Sequence, residues 1–270
     1  MTPFTLGPAL LFCPADRPER FGTALERADA VILDLEDAVA PARRTAARGA
    51  LIESELDPDR VIVRVNPPGG DAFAADLATL SQTDYRTVMV AKAETAKSLR
   101  AFDARFRLIA LCETARGVVA AEKLAAHDRV AALMWGAEDL VASIGGTSSR
   151  KPNGRYRDVA RLARSRVLLA AAAHGKAAID AVHLDISDTK GLGQEAKDAA
   201  ASGFAATACI HPSQVPVIRD AYAPDAKSVA WARSVLAAAE SHGGVFTHQG
   251  RMVDEPVLRH ARAVLHRFRG

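Results

Sequence analysis

The stretch AVILDLEDAV, residues 30–39, runs four apolar residues into Asp34, Glu36 and Asp37. A strand that reads V-I-L, without polar alternation, is covered on both faces, as strands of a parallel sheet are. The carboxylates at its C-terminal end repel one another when ionised and are costly to bury. Water or a cation must therefore hold them. The same grammar recurs in ALLFCP (9–14), RVIVRVN (60–66), TVMVAK (87–92), RLIALCE (107–113), AALMWG (131–136), AIDAVHLD (178–185) and AATACIH (205–211). Ala-, Arg- and Glu-rich stretches with helical spacing separate these runs. Two of them are PARRTAARGALIESEL (41–56) and YRDVARLARSRVLLAAAAHG (156–175), the latter with Gly175 as its expected C-cap. Eight strand–helix alternations predict a closed α/β fold, a (β/α)8 TIM barrel. The competitor is a doubly wound open sheet. It usually has fewer strands and a Gly-rich first turn, and no GxGxxG follows the first run here.

Past His211 the pattern changes to two further helices, PSQVPVIRDAY (212–222) and DAKSVAWARSVLAAAESHGG (225–244). A turn-like piece and a final basic helix follow in residues 245–270. Residues 1–240 are expected to form the TIM-barrel catalytic domain, and 241–270 a C-terminal helical extension acting as lid or oligomerisation segment.

Composition narrows the function classes. The 270 residues are 49% hydrophobic and 25% charged, ordinary for a globular chain, with 35 basic against 32 acidic residues and a formal net charge of +3. So balanced a charge argues against nucleic-acid or membrane-surface binding. Cys13, Cys112 and Cys209 are far apart and sit in apolar runs, which predicts buried thiols and a reducing, cytoplasmic setting. The N-terminus lacks a basic n-region, and its apolar stretch is too short for a signal peptide or membrane span.

In such a barrel the working residues project from the C-terminal strand ends. Taken in order, these ends supply Asp16 and Arg17; Asp34, Glu36 and Asp37; Arg64 and Asn66; Lys92 and Glu94; Glu113; Glu138 and Asp139; His183 and Asp185; and His211. Glu113 and Asp139 close adjacent strands. Two readings stand for them, an octahedral Mg²⁺ site or two helix-capping or first-turn acids. Asp34 and Glu36 share strand parity, and Arg64 lies one strand over. That cluster reads either as a general base with its counter-charge or as an ion-pair network tying the rim. His183 and His211 read as hydrogen-bonded core residues. SIGGTSSRKPNGRY (143–156) lacks the ending of a P-loop and reads as a solvated loop.

Seven motifs in order, LLFCPADRPERF, VILDLEDAV, VIVRVNPPGG, VMVAKAE, ALCETARGV, LMWGAEDL and CIHPSQV, together resemble the HpcH/HpaI aldolase and citrate lyase superfamily. They are most similar to its stand-alone citrate lyase β-subunit-like members. The resemblance implies a TIM barrel and Mg²⁺-dependent cleavage or formation of a carbon–carbon bond next to a coenzyme A thioester. It implies Glu113 and Asp139 as the metal ligands, Arg64 as ligand for substrate oxygens, and Asp37 as the acid/base. Glu36 either orients Arg64 or pairs with Arg17. Arg17, Arg64, Glu113, Gly136, Ala137 and Asp139 are implied to surround the substrate. Coenzyme A enters as part of that substrate, a citramalyl-CoA, malyl-CoA or hydroxymethylglutaryl-CoA type thioester yielding acetyl-CoA and a keto acid. A homotrimer or larger homo-oligomer is implied as well. Lys92 is conceivable as a Schiff-base lysine, which the metal pair makes redundant. The competing functions are a metal-dependent aldolase on free 4-hydroxy-2-oxo acids, a condensing enzyme that hydrolyses its thioester, and a non-catalytic barrel that binds acyl-CoA or a partner protein.

Overall fold

A computed structural model of the protein describes residues 4–269. Eight strands, β1 (Ala9–Pro14), β2 (Ala30–Asp34), β3 (Val61–Val65), β4 (Thr87–Val90), β5 (Arg107–Cys112), β6 (Val130–Trp135), β7 (Ala177–Asp180) and β8 (Ala206–Cys209), pair in chain order. All pairings are parallel, and β8 returns to β1 through Leu10↔Ala208, closing the expected barrel. The connections carry α1 (Phe21–Arg27), α2 (Arg44–Glu53), α3 (Asp71–Leu80), α4 (Ala115–Val119), α5 (Ala121–Ala125), α6 (Ala137–Ser143), α7 (Asp158–Ala173) and α8 (Thr189–Ser202). Between β4 and β5 the connection is a short 3₁₀ turn, Ser98–Ala101.

Strand parity explains the unbroken apolar runs. One set of alternate residues, including Leu10, Ile32, Ile62, Met89, Ile109, Leu111, Met134 and Ile179, meets in a single buried cluster that fills the barrel. The other set, including Val31, Leu33, Val61, Val63, Val88, Val90 and Leu133, is equally buried on the outer side, where the crossover helices run. Both faces exclude water, so charged side chains occur only toward the strand ends.

Local chemistry sets the ends of the elements. Gly175 adopts φ +63 just past α7, and the amides of Gly175 and Lys176 close back onto Ala172 and Ala171 at 3.0 and 2.8 Å. That is a left-handed helix stop of the kind glycine permits. The strand expected over residues 178–185 stops at Asp180, because its pairing with β8 ends at Asp180↔Thr207. There the Asp180 carboxylate takes the Trp135 indole N–H at 2.5 Å and the Arg164 guanidinium at 2.8 Å, and the chain turns away.

By internal packing the chain forms two compact units, residues 1–218 and 219–270. In the second, α10 (Ala226–Ala239) and α11 (Glu255–Arg269) pack with a hairpin of β9 (Phe246–His248) and β10 (Arg251–Val253) around Ala232, Val235, Phe246, Val253 and Ala261. The expected turn-like piece is this hairpin. Gln249 and Gly250, both with positive φ, make its two-residue turn. The chain between β8 and α10 carries α9 (Gln214–Tyr222), the other expected helix.

Cys13, Cys112 and Cys209 are buried, as expected. Among the described residues no helix is long and apolar enough to cross a membrane.

The filled interior is where stability should be most sensitive. Ile62→Ala is expected to cost about 2–5 kcal/mol, read as a lower urea midpoint with an unchanged denaturant slope.

Candidate active site at the C-terminal rim

The inward parity continues one step above the apolar cluster. Ile32 is followed two residues on by Asp34, Ile62 by Arg64, Leu111 by Glu113 and Met134 by Gly136. The chemistry-bearing residues are thus the top layer of the barrel filling. β2 and β3 pair Asp34 directly with Arg64. The Arg64 guanidinium donates from Nε and Nη2 to the two Asp34 oxygens, each at 2.6 Å, and its Nη1 lies 3.1 Å from Glu36 Oε2. Phe12 lies beneath, its ring centre 4.9 Å from the guanidinium carbon. Asp34 also accepts from the amides of Glu36 and Ala38 at 2.9 and 3.0 Å, which folds the acidic turn back over the strand end. Burial opposes the charge on Arg64, but the hydrogen bonds and charge of Asp34, then Glu36 and Glu113, outweigh it and push its pKa up. The guanidinium is permanently cationic and fixed in orientation.

Lys92 follows β4 with φ +48, in the left-handed region that side-chain-bearing residues seldom adopt. Its N–H donates to Glu113 Oε1 at 3.0 Å. Its ammonium forms a short hydrogen bond to Glu36 and lies 3.1 Å from Asp37 Oδ2 and 3.3 Å from Asp139 Oδ1. Partial burial works against ionising Asp37, but the Lys92 hydrogen bond and charge dominate and lower its pKa. Glu36 goes the other way. Burial raises its pKa despite Arg64 and Lys92.

Glu113 is the most perturbed acid of the rim. Burial, then the charge of Asp139, pushes its pKa up to about 8 against the pull of Arg64 and Lys92. It fits because residue 136 has no side chain. A Cβ on Gly136 would stand 2.9 Å from Glu113 Cβ and 3.0 Å from Oε2. Ala137, also buried, opens α6, and Asp139 sits in its first turn with its side chain 36% exposed. The caps of the flanking helices are Thr114, which accepts from the Gly117 amide at 3.0 Å, and Gly136. Glu113 therefore caps nothing, whereas Asp139 does occupy a first helical turn.

Other expectations separate here. Arg17 is exposed and lies 3.9 Å from Asp16, so Glu36 pairs with Arg64 and Lys92 and not with Arg17. Asn66 is spent on structure. Its amide and side chain both donate to the buried Asp76 at 2.8 Å. His183 is buried and bonded to Glu195 at 2.8 Å, as a core histidine should be. His211 is exposed and bonded to Ser213 at 2.7 Å, because the chain has left the barrel wall after Cys209. The 143–156 segment is more than a solvated loop. Arg150 pairs with Glu195 and covers the Tyr156 ring at 3.9 Å, and Ser149 donates to Glu138 at 2.6 Å. Lys92, set aside on sequence grounds, is the hub of the acidic cluster. Sequence reasoning places it at the rim and weighs it only as a Schiff-base lysine, not as a counter-charge to the acids.

Counted together, five carboxyl groups (Asp34, Glu36, Asp37, Glu113 and Asp139) meet two side-chain cations, Arg64 and Lys92. Burial raises the pKa of Glu113 most, and the neighbouring Asp139 charge adds to it. Among the described residues no group of three or more His, Cys, Asp or Glu side chains is arranged to hold a metal ion. Glu113 with Asp139 is a two-carboxylate donor set, all oxygen. That suits a hard divalent cation which keeps water and ligand oxygens for its remaining positions, as Mg²⁺ does, and not a metal seeking nitrogen or sulfur.

The comparisons with known proteins agree with this architecture. The chain belongs to the HpcH/HpaI aldolase/citrate lyase family, whose model matches residues 9–212. It is 57% identical over 261 residues to the citrate lyase subunit beta-like protein of Mycobacterium tuberculosis, covering 97% of this chain and 95% of that protein. To the mitochondrial citramalyl-CoA lyase of Homo sapiens it is 32% identical over 266 residues, covering 87% and 77%. The crystal structure of the protein CitE from M. tuberculosis in complex with magnesium, acetoacetate and coenzyme A superposes with a TM-score of 0.93 at 56% identity, covering 98% of this chain and 99% of that one. Of these relatives, the human protein is named as a citramalyl-CoA lyase.

The perturbed Glu113 makes a signed prediction. Its pKa in the fold lies above the unfolded value of about 4.3, so its burial costs nothing below that pH and progressively more as pH rises toward 8. Without divalent cations, Glu113→Gln should be more stable than the parent at pH 9, by at least about 1 kcal/mol, and no more stable at pH 4. Calorimetric melting across pH checks this; an offset that does not change with pH would contradict it.

Proposed function

We propose that this protein is a Mg²⁺-dependent lyase that cleaves a β-hydroxyacyl-CoA of the citramalyl-CoA, malyl-CoA or hydroxymethylglutaryl-CoA type into acetyl-CoA and a keto acid. The observation that carries the reading is the meeting of a buried Glu113, beside Asp139, with an Arg64 locked in place by Asp34 and Glu36. The ligands of the M. tuberculosis CitE crystal structure, magnesium, acetoacetate and coenzyme A, support it. So does the name of the human relative.

In this reading Glu113 and Asp139 hold the cation, and the space above Gly136 and Ala137 admits the keto-acid half of the substrate. When bound, the cation neutralises the substrate carboxylate and acidifies its hydroxyl. Cleavage leaves the enolate of acetyl-CoA, whose oxygen needs a donor already in position. Arg64 supplies it, because its fork is prepositioned and loses no orientation during the reaction. Asp37, half-exposed and held ionised by Lys92, takes the hydroxyl proton in cleavage and returns it to the enolate carbon, and in condensation takes the methyl proton. Glu36 orients Arg64. Arg17, at the exposed edge after β1, is available to the polar part of the thioester. The segment from residue 241 onward serves as a lid or oligomerisation arm in a homotrimer or larger assembly. The cytoplasm is the proposed compartment, in keeping with three buried cysteines far apart in the sequence.

A thioester screen by mass spectrometry, with Mg²⁺ and then EDTA, tests the reading. It should give acetyl-CoA from one of the three thioester types and none after chelation. Free CoA as product would mark a thioester hydrolase instead, and turnover of free 4-hydroxy-2-oxo acids an aldolase. Glu113→Gln and Asp139→Asn should fold normally and lose Mg²⁺-dependent turnover, whereas full activity in both would refute the metal assignment. Arg64→Lys should lose about 10²–10³ in kcat, since a lysine cannot satisfy Asp34 through two parallel bonds and still reach the substrate.

A further inference from the structure

We propose that Lys92 is a positioning residue that holds the acid/base carboxylates and the metal carboxylates at a fixed separation, and that its ammonium restrains cation affinity at Glu113 and Asp139. The inference rests on the metal reading above and goes beyond it, since that reading assigns Lys92 no part in binding or turnover beyond its charge on Asp37.

Two halves of one residue do different work. The backbone half is the N–H, turned onto Glu113 Oε1 at 3.0 Å by the left-handed conformation at φ +48. The side-chain half is the ammonium, which meets Glu36, Asp37 and Asp139. An ammonium has three N–H donors, and carboxylates from two strand ends surround it: it donates to Glu36 and Asp37 after β2 and lies 3.3 Å from Asp139 after β6. The planar fork of an arginine is not shaped for three separately placed acceptors. Lys92 is therefore the one side chain among the described contacts that touches both Asp37 and Asp139. Asp139 is shared. A divalent cation on Glu113 and Asp139 has Lys92 as a like-charged neighbour bound to the same carboxylate, so the lysine weakens the cation while keeping the acid/base pair in place. A lysine that served only to stabilise the rim would have the opposite signature, its loss loosening the site and weakening cation binding.

Isothermal titration of Mg²⁺ into the full chain, its Lys92→Met variant and its Lys92→Gly variant separates these outcomes, alongside thermal melting and kcat and KM on the thioester identified by the screen. Methionine removes the charge and keeps the stem. Glycine removes the charge but adopts the left-handed backbone freely, so Lys92→Gly should melt no lower than Lys92→Met. Both variants should bind Mg²⁺ at least about fivefold more tightly than the parent. Their kcat should fall about 100-fold with KM within about threefold, the split expected of misplaced groups. Unchanged or weaker Mg²⁺ binding in the variants overturns the proposal, and so does undiminished kcat. If the parent itself binds no Mg²⁺, the metal reading falls first and takes this inference with it. Parental binding with unaltered variants removes the inference alone.

Discussion

A guanidinium cannot sit at the top of an apolar barrel without an anion facing it, and the Arg64–Asp34 pair is the interaction on which the rim depends. The two residues are register partners on β2 and β3, so the pair is placed by backbone hydrogen bonding before any side chain is chosen. Breaking it by removing one partner would strand a desolvated charge, which costs far more than an exposed pair would. The geometry that follows is inherited. Asp34 draws in the amides of Glu36 and Ala38, the turn tightens, and Glu36 is delivered to the other side of the same guanidinium. A fixed Arg64 then defines where Glu36 stands, and Glu36 helps define where Lys92 stands.

That chain of placements leaves an imbalance. Acids outnumber cations at the rim, and the pressure is greatest at Glu113, which is buried beside Asp139 and, among the described residues, accepts a hydrogen bond from the Lys92 backbone. A fold selected only for stability would place an amide or an apolar residue there. A buried carboxyl kept beside another carboxylate is useful where something positive is to be received. The strained backbone at Lys92 belongs to the same argument, because left-handed conformations of residues other than glycine persist where the surroundings dictate them and cluster at functional positions.

Much of this was legible in the residues because both signals are periodic. Runs such as VIVRVN and TVMVAK identify strands covered on both sides, and counting them gives the barrel. Extending the inward parity past the last apolar residue finds Asp34, Arg64 and Glu113 without coordinates. The method stops working where the chain leaves the strand. Lys92 lies beyond β4 in a left-handed turn, so parity says nothing about its direction. Arg17 and His211 lie in turns after β1 and β8, and pairings or burial guessed for them did not survive. The strap formed by Arg150, Tyr156 and Glu195 joins residues up to 45 apart through contacts that no local pattern encodes.

The two ends of β3 show how one residue type is put to two uses. Arg60, just before it, donates to the backbone oxygens of Leu25, Ala28 and Asp29, closing the end of α1 at the N-terminal side of the barrel. Arg129, just before β6, does the same for the carbonyls of Leu99, Phe102 and Asp103. These guanidinium groups satisfy neutral acceptors that would otherwise be left unpaired, and their contribution is to stability. Four residues after Arg60, Arg64 meets carboxylates instead and leaves the rim carrying charge that the protein does not neutralise. Both arginines are one type in a composition table and one charge in a net sum. What separates them is the end of the strand on which they fall, and in a parallel barrel that is also what separates the residues that hold the fold from those available for chemistry.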